Sequence, residues 1–81
     1  MLESEVSYST FHDQGVSLLG LYNSLFLQST TLDDKRFWQR LIRLTQQELE
    51  DVAHDDRQRQ TQLYNHWKPL EEQLTQVRSM F

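Results

Sequence analysis

The chain has no cysteine, a single proline and only two glycines, and from Asp33 to Phe81 it contains no glycine at all. Without cysteine there is no disulfide framework, no thiolate zinc site and no cysteine nucleophile, and the redox compartment is left unconstrained. Without a glycine-rich run there is no loop to cradle a phosphate, and no strand-and-elbow pattern to raise a serine nucleophile. Positive charge is also scarce, with 8 Lys and Arg against 12 Asp and Glu and a formal net charge of −4. That balance disfavours general attraction to nucleic acid or anionic lipid, both of which need a basic surface. Nor is there a long apolar run. The stretch from Gln14 to Leu32 is uncharged, but Gln14, Ser17, Asn23, Ser24, Gln28, Ser29, Thr30 and Thr31 make it too polar to span a bilayer. The first residues, Met1-Leu2-Glu3-Ser4-Glu5, are acidic where a secretory signal is basic, so a cytoplasmic location is expected, with export by a signal-less route left open.

What remains is helix. Eighty-one residues make one domain, small enough that its core yields only a few kcal/mol of net stability, and self-association or a partner is a common remedy. Residues 1–8 lack periodicity and read as a flexible N-terminal arm; residues 9–81 read as a single helical domain with helices at about 9–28, 33–53 and 57–80. Ser9 or Thr10 is suited to cap the first, whose Phe11, Leu18, Leu19, Tyr22, Leu25 and Phe26 share one face. Val16, Leu21 and Leu27 widen that apolar arc, which predicts a central helix with two neighbours. Gly15 and Gly20 are the candidate points of close helix approach. Thr30 and Thr31 each have an aspartate three residues on, a capping pattern for the second helix. Its stripe runs through Trp38, Leu41, Ile42, Thr45, Leu49 and Val52.

Between Ala53 and Leu63 the stripe is interrupted by nine polar residues, His54 to Gln62. Beyond them Leu63, Trp67, Leu70, Leu74, Val77 and Phe81 recur in steps of four and three, a heptad seam that keeps its phase across Pro69 and predicts a kinked continuation of the helix there. Two all-α architectures follow. If the polar stretch turns, with Asp55 or Asp56 capping a new helix, three helices of about 20 residues, each about 30 Å long, make a small bundle. If it does not, the first helix folds along one long kinked helix whose uncovered end must pair with another chain. Either way the seam carries more large apolar residues than one short neighbour needs, and self-association is expected.

Chemistry-bearing constellations are few. His12, His54 and His66 include no pair spaced to put two ligands on one helix face, and the adjacent carboxylates Asp33-Asp34, Glu50-Asp51, Asp55-Asp56 and Glu71-Glu72 point about 100° apart, suited to capping and solubility. No catalytic residue, metal, cofactor or small-molecule substrate is assigned. Arg36, Arg40 and Arg43 align on one helix face beside Lys35, either as a solvated back paired with acidic neighbours or as a charged recognition face. The reading is a non-enzymatic helical protein–protein interaction module, an adaptor, small chaperone or assembly or inhibitor protein. It acts by burying Leu63, Trp67, Leu70, Leu74, Val77 and Phe81 against a partner helix or a second copy. The alternative is a small DNA-associated regulator using the three arginines, although the net charge disfavours a nucleic-acid partner.

Overall fold

The cap residues and the interrupted stripe resolve into three helices. The computed structural model describes residues 5–79, in which α1 spans Tyr8–Gln28, α2 spans Leu32–Asp51 and α3 spans Arg57–Ser79. The fold is a small all-α bundle. α1 starts slightly earlier than expected, because Ser7 and not Ser9 or Thr10 is its cap: the Ser7 hydroxyl accepts the Thr10 amide hydrogen at 3.2 Å. This draws Phe11 into the first turn, where its amide donates to the Ser7 carbonyl at 3.0 Å. The Val6 amide donates to the Thr61 hydroxyl at 3.0 Å, fastening the residues before α1 to α3. Of the residues read as an arm, 1–4 lie outside the described residues.

Serine and threonine build the first connection. The Ser29 hydroxyl donates to the Leu25 carbonyl at 2.7 Å, closing α1, and the Thr31 hydroxyl accepts the Asp34 amide hydrogen at 3.2 Å, opening α2 with Asp33 and Asp34 in its first turn. The polar stretch after Ala53 turns at His54 to Asp56 and its remainder, from Arg57, begins α3, so the single long helix is excluded. Asp56 takes the capping role, its carboxylate accepting the Arg59 amide hydrogen at 3.1 Å. No residue in the described chain has a positive φ, so this reversal is made without the left-handed conformation for which helix ends commonly use glycine.

Gln60 holds the turn from inside. Its side chain is fully buried and its amide nitrogen donates to the carbonyls of Ala53 and His54 at 2.8 and 3.1 Å, tying the first turn of α3 to the connection that precedes it. Its amide oxygen has no partner among the described residues, so the clamp is fixed through the nitrogen alone. α3 then runs unbroken through Pro69, which is exposed, and the expected continuation past the proline is what the chain adopts.

The topology is up, down, up. α3 lies parallel to α1, as the pairs Val6 with Thr61, Phe11 with Trp67 and Ser17 with Glu71 show in sequence order. α1 packs against both α2 and α3, whereas the described Cα atoms of α2 and α3 nowhere come within 8 Å of each other. α1 is thus the central helix, as expected, but of the residues that widened its arc only Leu21 is buried, Val16 and Leu27 being 50% and 69% exposed. Phe11, Leu18, Tyr22, Leu49, Val52, Leu63 and Trp67 form the buried core, with Phe11 and Trp67 stacked at 5.4 Å and 17°. Gly15 lies where all three helices converge. A Cβ there would stand 2.8 Å from Leu49 Cδ1 and 3.0 Å from Trp67 Cζ3, whereas one at Gly20 would meet nothing within 4 Å.

The two glycines therefore respond oppositely to alanine. Gly20→Ala gains helix propensity with no clash and should raise stability by about 0.5–1 kcal/mol. Gly15→Ala meets an indole that cannot move without disturbing Phe11, and overpacking of about 1–3 kcal/mol outweighs the same gain. Urea midpoints above and below wild type, respectively, are the expected outcome. A second prediction concerns pH. Burial, and secondarily the charge of Glu48, hold the Tyr22 hydroxyl above its ordinary pKa of 10.0. The folded state keeps the proton that the unfolded chain releases, so this contribution is fully present below pH 10.0 and is lost as pH rises through the raised folded value. The urea midpoint of wild type should fall more steeply than that of Tyr22→Phe above that pH.

Candidate interaction surface

Along α3 the heptad seam passes from core to surface. Leu63 and Trp67 are 6% and 3% exposed, Leu70 and Leu74 are half-buried, and Val77 is 44% exposed. Phe81, the last station, lies outside the described residues, as does Met80. The structure thus splits the six seam residues: the first two are used inside the bundle, the next two border it, and Val77 is open. The reason is the placement of apolar residues on α2. Leu49 at the end of α2 and Val52 just past it share the buried core with Leu63 and Trp67 at the start of α3, whereas at the other end Trp38 of α2 and Val77 of α3 border an open space.

A groove is left at that end. Leu25, Gln28, Ser29, Trp38 and Val77 line an open space of about 470 Å³ between the end of α1, the beginning of α2 and the end of α3. Trp38 is its largest wall. One side of the indole is tilted against Tyr22 at 5.9 Å and its edge meets Phe37 at 4.9 Å, so two aromatic contacts fix its orientation. Phe37 is 56% exposed and connects the groove to the outer face of α2.

On that outer face Arg36, Arg40 and Arg43 stand together with Gln39 and Leu44 around a shallow depression. All three arginines are exposed, and among the described residues none of their side chains meets a carboxylate, an aromatic ring or another hydrogen-bonding partner. No carboxylate among the described residues borders that depression. Glu71 of α3 accepts hydrogen bonds from the side chains of Gln14 and Ser17 on α1. Both lysines, by contrast, rest on aromatic rings: Lys35 Nζ lies 5.0 Å from the Phe26 ring centroid and Lys68 Nζ 5.6 Å from that of Tyr64.

The histidines gather no site. His54 packs its ring 4.0 Å from that of Tyr8, with His12 on the same tyrosine at 5.8 Å, a ring cluster that secures the α2–α3 turn to the start of α1. Among the described residues no three His, Cys, Asp or Glu side chains are grouped to hold a metal ion, and no helix is long and apolar enough to cross a membrane. Two features escaped the sequence reading: the groove beside Trp38, whose place in the stripe its packing on the core agrees with, and the role of Gln60 as a buried clamp. The chain matches no protein-family model, no curated protein and no solved structure with which it was compared.

Trp67 and Val77 separate core from surface on one helix. Trp67→Ala removes a stacked, buried indole and should cost about 3–5 kcal/mol, much of the total stability of a domain this size, with loss of the cooperative thermal transition. Val77→Glu lies at the open end and should change stability by no more than about 0.5–1 kcal/mol. Thermal melts followed by circular dichroism read both.

Proposed function

We propose that this chain is a non-enzymatic helical interaction module that takes a partner helix into the groove between α2 and α3. The observation that carries this reading is the unfinished packing of the bundle: α1 alone joins the helices, while along α3 the apolar seam passes from buried to half-buried at Leu70 and Leu74 and to open at Val77, which shares an open groove with Trp38 of α2. A fourth helix laid beside α3 buries Val77, the exposed edge of Trp38 and the outer sides of Leu70 and Leu74 together. Its mechanism is burial, at about 25 cal/mol per Å² of apolar area removed from water. Trp38 is the natural anchor, a large ring already held in place, so little side-chain entropy is lost when a partner packs on it. Adaptor, small-chaperone and inhibitor roles all share this mechanism; a protein partner is what they have in common. The DNA-regulator alternative has less support, since phosphate binding uses neither the groove nor Val77.

The test is a titration of the isotopically labelled chain with a synthetic amphipathic helix of leucine and neutral polar residues. Resonances of Leu25, the Trp38 indole and Val77 should shift, those of Trp67 should not, and Val77→Glu should weaken binding about tenfold or more with an unchanged circular dichroism spectrum. No shift at the groove, or shifts that Val77→Glu leaves intact, would contradict the reading.

A further inference from the structure

The outer face of α2 carries a second, independent message in its order of charges. Arg36, Arg40 and Arg43 occupy the first half of the stripe at successive steps of four and three; continuing by the same steps, it reaches Gln47, Glu50 and, beside it, Asp51. All six are exposed, and among the described residues neither the arginines nor Glu50 and Asp51 have a side-chain partner. A single helix face that is cationic at one end and anionic at the other is complementary to itself in reverse. We infer that this face is a homodimer interface in which α2 pairs antiparallel with α2 of a second copy of the chain about a two-fold axis near Leu44.

With the axis at Leu44, a residue faces the position equally far on the other side of it. Arg40 then faces Glu48 of the second copy, and Arg36 lies within one turn of Glu50 and Asp51, inside the reach of a guanidinium. Both sets of contacts occur twice by symmetry. Leu44, 49% exposed, meets its own copy at the axis, and Phe37, 56% exposed, closes each end of the overlap. Both are apolar side chains left about half exposed, Phe37 even with one side on the Trp38 ring. Asp33, in the first turn, falls beyond the end of the second copy's α2, so it opposes no carboxylate on that helix. A polyphosphate laid along the stripe would be repelled by Glu50 and Asp51, which is why a second copy fits better than nucleic acid.

Charge exchange tests this directly with the full chain. Sedimentation equilibrium of wild type should give a dimer at low salt, with the dissociation constant raised about tenfold or more at high salt as the Debye length shortens. The pairs R36E/R40E and E50R/D51R should each be monomeric under the low-salt condition, with wild-type circular dichroism, because each sets like charges against one another where Arg36 would meet Glu50 and Asp51. Mixed in equal amounts they should recover a dimer, since each supplies what the other lacks. Val77→Glu should leave the dimer intact, which separates this interface from the groove. A wild type that stays monomeric at low salt, single variants that still dimerise, or a mixture that stays monomeric would overturn the inference. So would retention of wild type, but not of R36E/R40E, on duplex DNA, which would assign the arginines to phosphate.

Discussion

The contact on which the rest of the structure depends is the approach of Leu49 and Trp67 to the bare backbone of Gly15. Because that position lacks a Cβ, a leucine of α2 and an indole of α3 reach the same turn of α1, and the stacking of Trp67 on Phe11 sets the direction in which α3 leaves. Close packing at one end of a bundle has a geometric consequence. α2 and α3 are held to each other only through α1, and at the end away from Gly15 Trp38 and Val77 border an open space instead of entering the buried core. The groove at Trp38 and Val77 is thus the other face of the convergence at Gly15.

The connections are arranged to hold the converged end. Gln60 ties the α2–α3 turn from within, Asp56 caps α3, Tyr8 and His54 close over the turn, and the Val6 amide reaches Thr61. The opposite end has the Ser29 and Thr31 caps, which secure the helix ends but do not reach α3. Interaction surfaces are commonly built on the less restrained part of a rigid scaffold, where burial of a partner replaces contacts that the chain does not make with itself. Both surfaces identified here, the groove and the outer face of α2, begin at this end and are joined by Phe37.

Much of this was legible from residue order. The stripe of α1, the threonine cap of α2 and the central position of α1 follow from spacing and chemistry that act locally. The helix through Pro69 was readable because the heptad phase persists across it. The polar stretch from His54 to Gln62 was ambiguous, because a turn and a solvated helix have the same composition. What decides between them is Gln60, whose amide can serve the carbonyls of Ala53 and His54 only if the chain has already reversed, a long-range fact. The burial gradient along α3 was equally out of reach, since the seam repeats evenly in sequence while the coverage that α2 provides does not. Gly15 and Gly20 look alike in sequence, and only the positions of Leu49 and Trp67 distinguish them.

The central claim is that stability is concentrated at the Gly15 end and declines toward the groove, and native-state hydrogen exchange measures that directly. Amides of α1 around Gly15 to Leu18, of α2 near Leu49 and of α3 around Leu63 to Trp67 should exchange only by global unfolding, while those in the first half of α2 and in α3 beyond Leu74 should exchange by lower-energy local opening. Uniform protection along all three helices, or the strongest protection around Trp38 and Val77, would contradict the account.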